Sequence, residues 1–146
     1  MDIKRFTEPF FCDALRVAQY LAKKVNGRIT EGIGDAAGFP GRERIPSEEV
    51  RFLRVEGDDY YEVGFISQDE PTVEDRKLRN KSYWRIKVGD ALKAYRESKG
   101  ISLGELASAT GYRVHSLARI EEGRWDMDIA QLGSLLDALG GDLYIK

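Results

Sequence analysis

The sequence predicts an α+β chain of 146 residues in two parts. An N-terminal helix with a small antiparallel sheet occupies residues 1–87, and an all-α helical bundle, able to close with a short C-terminal strand, occupies residues 88–146. Three observations carry this division. Apolar residues recur at helical spacing between positions 11 and 25. Two runs rich in β-branched and aromatic residues flank a Gly-Asp-Asp turn at 57–59. From Val88 almost to the end the apolar pattern is helical and punctuated by glycine.

The elements follow in order. Thr7 is placed to cap the first helix, with Glu8 and Pro9 in its first turn and Phe11, Ala14, Leu15, Ala18, Leu21, Ala22 and Val25 on its apolar face. Lys23 and Lys24 complement the dipole of its last turn, and Asn26-Gly27 stops it. Between 32 and 48, Gly32, Gly34, Gly38, Pro40, Gly41 and Pro46 predict a loop. Residues 50–56 and 60–67 read as a hairpin, with Leu53 and Val55 sharing one face of the first strand and Tyr61, Val63 and Phe65 one face of the second. Thr72 with Asp75 resembles a cap for one helical turn, and Tyr83-Trp84-Arg85-Ile86 reads as a third strand. Val88, Leu92 and Tyr95 then form a helical stripe ending at Lys99-Gly100. Ser102 and Glu105 form a capping box for a second helix, Leu117 and Ile120 lie on one face of a third that ends at Gly123, and a fourth runs from about Asp128 to Leu139. Leu143-Tyr144-Ile145 can close as a strand.

Composition narrows the function. Hydrophobic residues are 42% and charged residues 33%, which suits a globular chain with a core and not a disordered one. Cys12 is the single cysteine and His115 the single histidine, so neither an internal disulfide nor a Cys/His metal cluster is available. No glycine-rich phosphate loop occurs, and no metal or cofactor is expected. The start, Met1-Asp2-Ile3-Lys4-Arg5, has no apolar signal core, and no run approaches the ~20 apolar residues of a membrane span; the expected location is the cytoplasm. The carboxylates Asp58, Asp59 and Glu62 do not make a nuclease centre, because Asp in a hairpin turn serves the backbone and no lysine follows Glu62 at a catalytic spacing. Trp84 and Trp125 read as packing anchors.

A net charge of −2 does not by itself suggest a polyanionic partner. Acidic and basic residues balance up to residue 87, and residues 88–146 carry the deficit. Locally, however, Arg76, Lys77, Arg79, Lys81, Arg85 and Lys87 form a run with no acidic residue among them. Arg76, Lys77, Arg79 and Lys81 are candidate phosphate contacts.

The most informative stretch lies between 100 and 124. Two short helices joined by a tight turn at Gly111, with the small Ala107 inside the first and Leu106, Leu117 and Ile120 to lock the angle, would project the second helix outward. Gly100-Ile-Ser-Leu-Gly-Glu-Leu-Ala107, Thr110-Gly-Tyr112, Leu117-Ala-Arg-Ile-Glu-Glu-Gly-Arg124 and Leu132 through Gly140 resemble, in order and spacing, the lambda-repressor-like helix-turn-helix DNA-binding domain of the Cro/Xre type, over about residues 88–140. Three positions depart from that pattern: Leu103 replaces the usual Gln, Arg113 the usual Ser or Thr cap, and Met127 the usual Pro. The resemblance implies a sequence-specific DNA-binding transcriptional regulator, a repressor of bacterial or phage type, reading the major groove of double-stranded DNA with helix 113–122. It implies base or phosphate contacts from Arg113, Val114, His115, Ser116, Arg119 and Arg124, and a further phosphate contact from Ser102. Because such proteins read two half-sites, it also implies a homodimer. Residues 1–87 resemble no family; dimerisation or sensing of a protein partner or ligand suits them. The competing reading is an antitoxin-like interaction module with autoregulatory DNA binding. An enzyme is not expected.

Overall fold

A computed structural model of the chain describes residues 2–145 and, for Lys77 and Leu78, the backbone alone. It divides into two compact units, Met1–Tyr83 and Trp84–Lys146. The first is α+β and the second helical, as the apolar patterning predicts.

The first unit contains β1 (Lys4–Phe10), α1 (Phe11–Val25), β2 (Arg28–Asp35), β3 (Glu49–Glu56) and β4 (Tyr60–Ser67). The hairpin is β3 and β4, antiparallel, with Leu53 opposite Val63 and Val55 opposite Tyr61. Two strands were hidden from the sequence reading. Residues 4–10, where Thr7 reads as a cap and Glu8 and Pro9 as a first helical turn, instead form a strand parallel to β4, and the sheet order is β1-β4-β3-β2. Pro9 disguises this strand, yet an edge position lets proline do without a ladder donor. Residues 28–35, read partly as loop, are the opposite edge and pair along their whole length with β3. Gly32 and Gly34 are strand residues because the Phe52 ring lies over them: a Cβ on Gly32 would come within 2.6 Å of Phe52 Cζ. These glycines make room for an aromatic ring.

Helix α1 packs Ala14, Val17, Ala18 and Leu21, all withdrawn from water, against the sheet face that carries Val55, Val63 and Phe65; Phe11 meets Phe65 edge to face at 5.0 Å. The other face is covered differently. The chain between β2 and β3 turns at Ala36–Gly38 and Arg42–Arg44 and folds Ala36, Phe39 and Ile45 onto Val50 and Phe52 as a second, smaller core.

The expected third strand at 83–86 is helix: α2 runs from Lys81 to Ser98. Its buried stripe is Ser82, Ile86, Gly89, Leu92 and Arg96, a helical period carried partly by a hydroxyl, a glycine and a guanidinium, which a hydrophobic pattern does not reveal. The capping box at Thr72 and Asp75 is present and starts the turn Val73–Leu78. The remaining helices are α3 (Leu103–Thr110), α4 (Val114–Glu121) and α5 (Ile129–Leu139). Leu143-Tyr144-Ile145 is not a strand; these side chains are 62%, 85% and 89% exposed. Trp84 and Trp125 are exposed rather than buried anchors. No helix among the described residues is long and apolar enough to cross a membrane.

Glu8 on β1 is buried, and its Oε1 accepts the Ser82 N–H at 3.0 Å. Burial drives its pKa up to about 7, with a further push from the Asp13 carboxylate, against the pull of the Ser82 and Tyr83 N–H groups. The folded state therefore holds a proton that the unfolded state releases near 4.5. Stability from this group is complete below the unfolded pKa and is lost as pH rises through the folded value. The unfolding free energy from denaturant titrations at pH 4 to 8 is expected to fall over this window in the wild type, by at most about 3 kcal/mol; Glu8→Gln, neutral and still able to accept the Ser82 N–H, is expected to remove that part of the slope.

Candidate nucleic-acid interface

Helices α3 and α4 are set by local chemistry at both ends. Ser102 accepts the Glu105 N–H at 3.1 Å while Glu105 Oε1 accepts the Ser102 N–H at 3.2 Å, so the capping box satisfies two orphan donors of α3. Gly111 ends α3 with φ of 80° in open surroundings, so positive φ, and no crowding, is what this position demands. Three residues later α4 begins. Arg113 occupies its N-cap with no side-chain cap bond, as expected for a residue without a short acceptor.

One face of α4 is buried. Leu117 and Ile120 join Leu92, Leu106, Leu135 and Leu139 in the core, with Ala107 and Tyr112 packed at its edge. A second constraint is ionic and was not foreseen from sequence. Arg96 on α2 grips Glu121 at the end of α4 through Nε–Oε2 at 2.6 Å and Nη2–Oε1 at 2.9 Å, and its Nη1 donates to the Ile101 carbonyl at 2.8 Å. Both side chains are about nine-tenths buried. The Glu121 carboxylate raises the Arg96 pKa further, so the guanidinium is a permanent charge. The third constraint is backbone contact. A Cβ on Gly89 of α2 would lie 2.4 Å from the Ile120 carbonyl oxygen, and one on Gly123 would lie 2.6 Å from Ile86 Cα. Gly123 also has φ of 76°.

The opposite face of α4 is open. Arg113, Val114, His115 and Arg119 are exposed and Ser116 is half-buried. Glu122 and Asp126 lie close to Arg119 in the sequence. The structure pairs those carboxylates with Arg124 at 3.4 Å and Arg85 at 3.2 Å, and Arg119 has no ion-pair partner among the described residues. Arg124, just beyond the helix, is itself exposed. Ser102 is exposed within its capping box.

The basic run ahead of this unit is less uniform than its sequence. Arg79 is committed: its Nε and Nη2 donate to the buried Asp13 carboxylate at 2.9 to 3.3 Å. This pairing within the first unit commits the guanidinium that the sequence reading offers to a phosphate, a correction to that reading. Arg76 and Lys81 are exposed, and the Lys77 side chain lies outside the described residues. Two of the three carboxylates set aside as a nuclease centre, Asp59 and Glu62, are likewise occupied. Asp59 accepts its neighbour Tyr60's N–H, and Glu62 is held by Arg5 and Arg54.

Two adjoining helices joined by a glycine turn, the second buried on one side and presenting cations on the other, define a helix-turn-helix DNA-binding domain, in which the second helix enters a major groove. Through residues 87–143 the chain belongs to the helix-turn-helix domain family, whose model it matches there. Two solved structures of the clp gene regulator ClgR from Corynebacterium glutamicum are similar to it. One is 36% identical, covering 40% of this chain and 76% of its own, with a TM-score of 0.40. The other is 37% identical, covering 39% and 61%, with a TM-score of 0.38. No curated protein matches the chain.

The Arg96–Glu121 pair has a measurable consequence. Arg96→Ala leaves a buried carboxylate without its cation and is expected to destabilise the second unit by about 3–5 kcal/mol, whereas Arg96→Met combined with Glu121→Leu is expected to recover most of the loss. Chemical denaturation of the three proteins checks both.

Proposed function

We propose that the chain is a sequence-specific DNA-binding regulator of transcription, a repressor of bacterial or phage type, cytoplasmic and without enzymatic activity. Helix 113–122 reads the major groove of double-stranded DNA. The observation that carries this reading is the two-sidedness of α4: Leu117 and Ile120 are locked into a core while Arg119 stands exposed with no ion-pair partner among the described residues.

Arg119 suits a bidentate contact to guanine, His115 a base or phosphate, and Val114 a thymine methyl. Arg113 stands where the pattern has a short cap residue and extends instead toward a phosphate or a base edge. Ser102 and Arg124 sit at the ends of the motif, where backbone contacts fix register. The Arg124–Glu122 pair is surface-exposed and so cheap to exchange for a phosphate. Arg76 and Lys81 remain as the phosphate candidates of the basic run. Selection of bound sequences from random duplex DNA is expected to yield a defined operator, and Arg119→Ala to cost about 1–3 kcal/mol in affinity while relaxing preference at one base pair. A folded Arg119→Ala protein with unchanged affinity and preference would reject the assignment.

One such helix reads too few base pairs for a specific site, so the regulator acts as a homodimer on half-sites ~34 Å apart. The first unit supplies dimer contacts or senses a partner. Light scattering at tens of micromolar, free and with a two-half-site duplex, is expected to give two chains per complex, and the selected operator is expected to be palindromic; one chain in both states would refute the dimer.

A further inference from the structure

The sheet of the first unit has one face under α1 and the other only half covered. The excursion between β2 and β3 blankets the end that carries Val50 and Phe52 and stops at Phe39. Where it stops, a cavity of about 260 Å³ opens. One wall is a row of three cross-strand neighbours, Arg5 on β1, Glu62 on β4 and Arg54 on β3, standing directly beside one another in register. The floor is the stacked pair Phe39 and Phe52, with ring centroids 5.7 Å apart.

The charges in that wall do not cancel one for one. Glu62 is almost fully buried, and a single guanidinium would neutralise it. It has two: Arg54 donates Nε and Nη2 to one carboxylate oxygen at 3.0 and 2.8 Å, and Arg5 donates Nε to the other at 2.8 Å. Arg5 Nη1 and Nη2 then have no acceptor among the described residues. The Arg5 head lies beside Gly38, where a Cβ would sit 3.8 Å from Nη1, so the missing side chain leaves the approach open. Asp35 completes the ionisable groups lining the cavity; its Oδ1 accepts the Ala37 N–H.

We propose that this cavity binds a small organic monocarboxylate with a flat apolar body. The carboxylate takes the paired Nη donors of Arg5, an arrangement in which a planar guanidinium and a carboxylate match bidentately. The flat body lies toward Phe39 and Phe52. Asp35 sets the charge, since a second carboxylate at the rim disfavours a dianion such as phosphate. The volume suits a metabolite of one ring, smaller than the ~300–1,000 Å³ of drug-sized sites. The first unit is on this view the ligand-responsive part of the protein. The site lies wholly within residues 1–83, so its test stands or falls independently of DNA binding.

Benzoate serves as the probe, with benzamide as its uncharged counterpart and inorganic phosphate as a bare anion, each titrated at constant ionic strength into the isotope-labelled full chain. The Arg5 and Arg54 Nε–H resonances are the readout. Benzoate is expected to shift the Arg5 signal saturably, with benzamide and phosphate each weaker by at least about tenfold. Gly38→Asp places a carboxylate against the Arg5 guanidinium from within the chain and is expected to weaken benzoate by at least about tenfold, while Gly38→Asn stays within about threefold of wild type. Absence of a saturable benzoate shift, equal binding in Gly38→Asp and Gly38→Asn, or phosphate binding as tightly as benzoate would each overturn the proposal, the last by showing an adventitious anion only.

Discussion

Arg96 and Glu121 are removed from water together, and neither would be tolerable there alone. The pair joins α2 to the end of α4, and the third guanidinium nitrogen reaches the carbonyl of Ile101, just ahead of α3. One side chain thereby fixes three consecutive segments of the helix-turn-helix. The leucine and isoleucine core beneath it supplies most of the burial energy, but apolar contacts tolerate sliding and rotation. Two parallel charge-assisted bonds to a planar carboxylate do not. The orientation of α4 is accordingly specified by an ion pair and stabilised by a core.

The same device appears in the first unit with a different stoichiometry. Asp13 is buried and paired with one arginine, Arg79, whereas Glu62 is buried and shared between two. Glu8 is buried with no arginine and is held by backbone N–H groups, at the cost of a pKa near neutrality. Three buried carboxylates in one small sheet-and-helix unit thus receive one cation, two cations and none. Each arrangement leaves a different residual: a closed pair, an unspent guanidinium edge, and a titratable proton.

Much of this was legible in the sequence, and the omissions share a cause. The hairpin, α1, the capping boxes at Ser102 and Thr72, and the glycine stops at 100, 111 and 140 follow from local chemistry, which a single sequence exposes directly. The exposed face of α4 followed from the buried positions of Leu117 and Ile120. What escaped was set by distant partners. Pro9 and Glu8 looked like the first turn of a helix because nothing local shows that residues 4–10 are a sheet edge. Gly32 and Gly34 looked like breakers because the ring that needs them is at position 52. The buried stripe of α2 passes through Ser82, Gly89 and Arg96, so apolar periodicity found only its second half, and the aromatic window at 83–86 passed for a strand. Arg79 looked like one of a row of phosphate contacts until Asp13, far away in sequence, was placed beside it.

Gly89 and Gly123 bring main chain against main chain on both sides of the junction between α2 and the end of α4. Contact of this kind has no rotamers to readjust, so the spacing it sets is insensitive to which apolar residues fill the neighbouring core. Leu92, Leu106 or Leu135 can change to other hydrophobic residues and alter stability while α4 stays where it is. The outward residues of α4 can then vary one side chain at a time, with the scaffold held constant beneath them.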